Sequence, residues 1–288
     1  MKRKIPCFPS ARAPVVSYSD ISSGWLAEIF CSIQGEGPLV GTRQIFVRLA
    51  NCHRRCRFCD TPAALTIRPS YCTVENQCPV SDRAYSCRPR DLTRRPFDDR
   101  TERNPVTATR LLDLLEAYRQ GQPQPHSISF TGGEPLLQVD FLRAVLPRLR
   151  RAGWRIYLET SGDRWRELAR VLPQIDFVAM DIKLPSVTGQ SGTWQAHRKF
   201  LKLAVAHAET FVKIVVSRAT AEDELRRAAR LVASIAPQVP VVLQPATPQA
   251  GVCAPTPQQL WRWQSLALAT GLRDVRVIPQ CHVFLGQR

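Results

Sequence analysis

The sequence predicts an α/β protein whose parallel sheet curls into a partial or complete (β/α) barrel. Three observations predict it. From residue 107 onward, short β-rich apolar runs alternate with helical stretches, a cadence that calls for right-handed crossovers and a parallel sheet. Each apolar run ends in polar or glycine residues, as strands do when their carboxyl ends gather around a ligand. The chain has 288 residues and is 44% hydrophobic, a size at which an α/β barrel forms as one unit.

Residues 1–23 form a Pro- and Ser-containing extension without periodicity, expected to be loosely held. A core domain is expected over 24–288. It opens with Leu26, Ile29, Phe30 and Ile33, which lead into Gln34-Gly-Glu-Gly37, and residues 44–49 read as a strand. Residues 62–105 interrupt the pattern. They are rich in Pro, Arg and Cys, show no helical period, and are too long for a plain loop, so they read as an irregular insertion. Its Cys72, Cys78 and Cys87 match no common metal-binding spacing and read as unpaired thiols.

Residues 107–119 carry apolar positions at helical spacing, with Thr107 or Thr109 as the cap. Strands are expected at 127–130, 155–158, 177–180, 211–216, 239–243 and 275–278. Helices are expected near 138–152, 164–172, 194–208, 220–236 and 256–270. The strand ends carry Thr131-Gly-Gly-Glu-Pro135, Glu159-Thr-Ser-Gly162, Asp181-Ile-Lys183, Ser217, Gln244-Pro-Ala-Thr247 and Gln280-Cys-His282. Six such ends would surround one cavity.

A formal charge of +16 invites a nucleic-acid reading. The cations are nearly all Arg, scattered through the expected helices without interleaved aromatics, so direct nucleic-acid binding is not expected. Of six lysines, Lys183 and Lys213 end or lie in strands, a hint that an ammonium is wanted there. No apolar run reaches membrane length and no signal-peptide pattern follows the basic first residues, so a cytoplasmic protein without membrane association is expected. Ten cysteines then read as reduced thiols. Cys31, Cys253 and Cys281 read as buried small residues.

Cys52, Cys56 and Cys59 form a C-x3-C-x2-C loop. Three sulfurs are one short of a closed site and leave one corner of an inorganic centre open to a small molecule. The loop alone also allows a zinc knuckle, with His53 or a distant Cys as fourth ligand.

With Phe58 before the last Cys, and with Thr131-Gly-Gly-Glu-Pro135 downstream, the chain resembles the radical S-adenosylmethionine (SAM) superfamily. The resemblance implies a partial or modified (β/α) barrel of the radical SAM type, and a [4Fe-4S] cluster whose open iron chelates SAM. Electron transfer would then yield a 5′-deoxyadenosyl radical. Gly132 and Gly133 would let the backbone approach the methionyl ammonium, with Glu134 accepting its hydrogen bonds.

The segment Glu28–Gly37, Gly41, Phe46–Arg48, Cys59-Asp-Thr61, Thr131–Gln138, Glu159–Gly162, Asp181–Pro185 and Gln280–His282 together resemble the 7-carboxy-7-deazaguanine synthase family. The likeness covers most of the chain from about Trp25, outside 62–105. It implies a SAM-dependent ring contraction of 6-carboxy-5,6,7,8-tetrahydropterin to 7-carboxy-7-deazaguanine with loss of ammonia, a lyase step of queuosine and 7-deazapurine biosynthesis. Ile33, Gln34 and Gly35 would line the pterin with Glu36 beside them. Arg48 would meet the substrate carboxylate, Thr131 and Arg288 would touch the substrate, and Glu159 and His282 are the candidates for proton transfer. Phe58, Cys59, Asp60, Gly133, Asp181, Ile182, Lys183, Gln244, Pro245, Ala246 and Thr247 would hold SAM, and Thr61 would ligate Mg2+. An electron donor such as flavodoxin or ferredoxin, and a homodimer, are expected. The competing readings are a radical SAM activase and, outside enzymes, a metal-binding RNA-associated protein.

Overall fold

The computed structural model describes residues 22–75, 99–119, 124–249 and 251–287. Arg288, Cys78, Cys87 and residues 1–21 lie outside them. In chain order the strands are β1 (Ser23–Gly24), β2 (Leu26–Ile33), β3 (Arg43–Leu49), β4 (Tyr71–Glu75), β5 (Asp99–Arg103) and β6 (Val106–Thr107). There follow β7 (Ser127–Gly132), β8 (Ile156–Thr160), β9 (Phe177–Asp181), β10 (Glu209–Val216), β11 (Val241–Pro245) and β12 (Val275–Val277). The helices are α1 (Ala108–Ala117), α2 (Val139–Arg151), α3 (Trp165–Ala169), α4 (Pro185–Thr188), α5 (Trp194–Val205), α6 (Glu222–Ala233), α7 (Pro257–Leu268) and α8 (Cys281–Phe284). Thr107 caps α1, its hydroxyl accepting from Arg110 N at 3.1 Å.

Apart from the short β1–β6 pair, the strands form one open sheet in the order β12-β11-β10-β9-β8-β7-β3-β2-β4-β5. Neighbours from β3 through β7 to β12 are parallel, and β2 runs antiparallel to β3. The architecture is therefore a partial barrel of the expected α/β kind.

The two faces of the parallel strands do different jobs, because successive side chains point to opposite sides. Ile128, Phe130, Ile156, Leu158, Val178, Met180, Val212, Ile214, Val241 and Leu243 belong to the main core, together with Leu142, Leu149, Phe200, Ala228 and Trp263 from the helices. The alternate positions Tyr157, Phe177, Ala179, Phe211 and Val242 form a second apolar group with Leu39 and Ile278. Two residues further along the same face lie Glu159, Asp181, Lys213 and Gln244. The concave face thus has an apolar floor with a polar layer above it.

Leu26, Ile29, Phe30 and Ile33 form strand β2, although their spacing carries no alternation. Both faces of this strand are covered: Ile29 and Cys31 enter the main core, while Phe30 stacks on Phe46 with centroids 5.0 Å apart. The segment expected to be an irregular insertion is in part regular. β4 pairs with β2 in parallel and with β5 antiparallel, extending the sheet by two strands. Its edge strand reads Asp-Arg-Thr-Glu-Arg, and a charged edge resists pairing with other chains while showing no apolar signal.

Cys72 and Val74 of β4 are fully buried, and burial pushes the Cys72 thiol up to about 12, so it is an inert core group. Cys31 is also buried, but Cys281 is half-buried and Cys253 exposed, contrary to expectation; both follow strand ends rather than lying in strands. Among the described residues no helix is long and apolar enough to cross a membrane.

Candidate active site

The three-thiol loop leaves β3 through Asn51, which adopts φ +75°. Asn51 N donates to Ala64 O at 2.8 Å, and Asn51 O accepts from Glu134 N at 2.8 Å. The loop therefore lies directly on the Gly132-Gly133 turn at the end of β7. A Cβ on Gly133 would sit 1.9 Å from Asn51 O, so the glycine is required by the loop's own backbone as well as by the cavity it lines. Gly133→Ala is expected to lower stability by about 3 kcal/mol and to weaken cluster retention, measured by denaturant unfolding and by bound iron.

Glu134 does not face the cavity. It is fully buried and accepts hydrogen bonds from Leu136 N (3.1 Å), Thr160 Oγ1 (2.8 Å), Ser161 N (2.8 Å) and Ser161 Oγ (2.6 Å). The expected ammonium acceptor is instead a tie between the ends of β7 and β8.

Cys52, Cys56 and Cys59 are half-buried and line one side of a cavity set in the concave face. Burial raises the Cys52 and Cys56 thiols, and the Lys183 ammonium counters it at Cys56. His53, the alternative zinc ligand, is engaged with Asp163 at 3.0 Å. Among the described residues no three His, Cys, Asp or Glu groups converge on a point fit for one ion. A cubic cluster bound at three separate irons does not require such convergence.

The polar layer lines the same cavity as the thiols. Glu36 forms an ion pair with Lys213 and accepts from Gln244 Nε2 (3.0 Å) and Gln280 Nε2 (2.9 Å). Asp181 lies 2.7 Å from Lys183 Nζ and 3.5 Å from Lys213 Nζ. Lys183 also lies over the Phe58 ring at 4.9 Å. Gln280 further donates to Asp60 Oδ2 (2.8 Å) and accepts from Thr247 Oγ1 (2.5 Å), so it joins three walls. A Cβ on Gly35 would lie 2.2 Å from His282 Nδ1; the close approach lets α8 close the cavity against the Gln34-Gly-Glu turn.

Glu159 accepts from Gln34 Nε2 (3.0 Å) and Thr131 Oγ1 (2.8 Å). Burial, reinforced by the Glu36 charge, raises its pKa. Burial also disfavours ionised Glu36, but Lys213 and the hydrogen bonds from Lys213, Gln280 and Gln244 outweigh it and hold its pKa near 2. Two carboxylates in one cavity are thus pushed in opposite directions, the arrangement that separates a proton-holding group from a fixed charge. Asp181 Oδ1, Gln244 Oε1 and Tyr157 Oη are buried without a hydrogen-bond partner among the described residues, and all three residues line the cavity. Buried polar atoms are seldom left unpaired without a functional reason.

Arg48 donates from Nε to Glu28 Oε1 at 2.7 Å, with its guanidinium 5.4 Å over the Phe30 ring. Thr61 makes no capping bond to the turn that follows it; its hydroxyl donates to Asp60 Oδ1 at 3.3 Å. Of the expected site residues, Ile33, Gln34, Gly35, Arg48, Phe58, Asp60, Thr61, Thr131, Gly133, Glu159, Asp181, Lys183, Gln244, Ala246, Thr247 and His282 line this cavity with the three thiols. Ile182 is instead packed in the main core and Pro245 is absent from the lining. Both lie beside lining residues, on the opposite parity, so only their backbone is near.

Lys213, Gln280 and Glu36 are more central than the sequence reading made them. For Lys213 the signal was present: a rare lysine two residues from Phe211 and two from Val215 on the inward parity of β10.

The Radical SAM superfamily model matches residues 47–232. The chain is 40% identical over 263 residues to 7-carboxy-7-deazaguanine synthase of Geobacter sulfurreducens, covering 91% of this chain and 97% of that protein. The chain belongs to the 7-carboxy-7-deazaguanine synthase family. The family's member from Methanothermobacter thermautotrophicus is 31% identical over 281 residues, covering 91% and 97% of the two chains. QueE from Escherichia coli has the same fold at 20% identity, with a TM-score of 0.54 over 90% of this chain and 95% of that one. Membership of this radical SAM family implies a [4Fe-4S] cluster and SAM. The half-buried thiols, and the acceptors Asp181 Oδ1 and Gln244 Oε1, unpaired among the described residues and belonging to side chains of the same cavity, fit that pair of groups.

Proposed function

We propose that this protein converts 6-carboxy-5,6,7,8-tetrahydropterin to 7-carboxy-7-deazaguanine, a carbon–nitrogen lyase step on the route to queuosine and related 7-deazapurines. The observation that carries this reading is the convergence of Gln34, Glu36, Arg48 and Glu159 with the three thiols in one cavity. When bound, the cluster and SAM supply hydrogen-atom abstraction and return; the chain's residues do the rest.

Arg48, oriented by Glu28, offers a planar guanidinium to the substrate carboxylate. The Gln34 amide, held by Gln44 at 2.9 Å and by Glu159, presents a fixed hydrogen-bonding edge beside Ile33, Gly35 and ionised Glu36. Thr131 meets the substrate; the same role for Arg288, outside the described residues, rests on the family resemblance alone. Glu159, with its raised pKa, holds or takes a proton at the pterin, and His282 shares that role from the opposite wall.

Phe58, Cys59, Asp60, Gly133, Asp181, Lys183, Gln244, Ala246 and Thr247 would hold SAM, with Ile182 and Pro245 contributing through their backbone. Asp181 Oδ1 suits ribose hydroxyls, and Gln244 Oε1 suits an adenine amino group. Thr61, whose hydroxyl is free of capping duty, holds Mg2+ together with the substrate. The protein works in the cytoplasm as a homodimer and takes its electron from a flavodoxin or ferredoxin.

The test is an anaerobic assay with reconstituted protein, dithionite, SAM, Mg2+ and the carboxypterin, following products by mass. Formation of 7-carboxy-7-deazaguanine with SAM conserved is expected. Deoxyadenosine release without deazaguanine would overturn the reading in favour of an activase.

A further inference from the structure

The residues between Cys52 and Cys56 are gripped from outside the loop by one carboxylate. Asp163, just beyond β8, accepts from Arg54 Nε (3.1 Å) and Nη2 (2.6 Å), lies 2.9 Å from Ser161 Oγ, and meets His53 Nε2 at 3.0 Å. Arg54 is anchored a second time. Its Nη2 donates to Thr193 Oγ1 at 2.7 Å and its Nη1 to Ser191 O at 3.4 Å, at the entrance to α5. Thr193 Oγ1 lies 3.2 Å from His197 Nε2, a nitrogen that is also 3.1 Å from Ser161 O, which closes the ring of contacts.

The Arg54 and Asp163 side chains are 8% and 7% exposed. A shielded, doubly bonded pair of this kind is stiff, unlike an ion pair in water. Burial disfavours the Asp163 charge, yet His53 and Arg54 hold its carboxyl well below the ordinary range.

The grip reaches a sulfur. Arg54 N donates to Cys52 Sγ at 3.3 Å, and hydrogen bonds to ligating sulfurs shift the potential of an iron–sulfur group. An N–H aimed at a thiolate stabilises the added electron, so it moves that potential upward. Groups that orient ligands also govern how firmly the metal is kept. We propose that Asp163 is a positioning residue: through Arg54 it aims this N–H at Cys52 and thereby sets the cluster's reduction potential and retention. The inference rests on the cluster reading given above.

The experiment compares wild type, Asp163→Ala and Arg54→Gln after identical anaerobic reconstitution. Midpoint potential is read by EPR-monitored titration, and iron loss by a chelator assay. Both variants are expected to show a more negative potential and iron loss faster by roughly tenfold or more. The double variant is expected to be no worse than the poorer single one, because the two residues act as one unit. Arg54→Gln keeps the backbone N–H and removes only its anchor, so it carries the test should Asp163→Ala fold poorly.

Variants with a lowered thermal midpoint but an unshifted potential and unchanged iron loss would overturn the inference alone. A wild type that assembles no four-iron cluster would overturn the proposed function and this inference together.

Discussion

Replacing Cys56 by Ser is expected to give a colourless protein with turnover at the background of unreconstituted chain. Among the described residues the nearest substitutes are committed elsewhere: His53 is engaged with Asp163, and Cys72, within β4, is sealed in the core with its thiol pushed up to about 12. A serine hydroxyl ionises far less readily than a thiol and is a harder donor, poorly matched to iron–sulfur chemistry. Iron and sulfide content, visible absorbance and 7-carboxy-7-deazaguanine formation should all fall together. Cys253→Ser, at an exposed position, should leave all three unchanged. A Cys56→Ser protein that keeps its colour and turnover would remove the basis for the proposed chemistry.

Glu36→Gln is expected to cost about 3–5 kcal/mol of stability, because breaking a buried ion pair leaves its partner charged and uncompensated. Lys213 would retain Asp181 at 3.5 Å, an oxygen it already shares with Lys183. The partner variant Lys213→Met should be similarly damaging, and the double variant less so than the sum of the two. Urea unfolding of the four proteins measures this directly.

The same pair makes the fold acid-sensitive. Glu36 binds a proton near pH 4.5 when unpaired and only near 2 in the fold. Its stabilising contribution is therefore complete above about pH 4.5 and lost as pH falls towards 2, an effect of about 3 kcal/mol by linkage. Glu36→Gln should remove that share of the acid dependence, whereas an unchanged pH profile would contradict the pairing.

The parallel half of the fold is legible in the sequence because both faces of its strands are buried. Runs such as Phe177–Asp181 and Glu209–Val216 stand out as apolar blocks, and their polar ends mark the cavity rim. β2 is harder to read, since Phe30 and Ile29 are buried on opposite faces and erase the alternation. β5 is harder still, being an edge strand of charged residues whose partner β4 is distant in sequence.

Within the site, Cys52, Cys56, Cys59, Arg48 and Thr131 are legible from motifs. The members of the polar layer are legible singly at the strand ends, but their pairing is not, because only the fold brings partners such as Glu36 and Lys213 together. Glu134 shows the reverse case: its residue type suits an ammonium, but four hydrogen bonds from the ends of β7 and β8 occupy it.

Gln280 bonds to Glu36 across 244 positions and to Asp60 across 220. Contacts of such separation are slow to form, since loop-closure entropy opposes them until the rest of the fold holds their ends together. A nascent chain on the ribosome would display Cys52, Cys56 and Cys59, and then Lys183 and Lys213, well before this glutamine emerges. Metal capture by the thiols therefore precedes completion of the cavity, which waits for Gln280 to join Glu36 and Asp60.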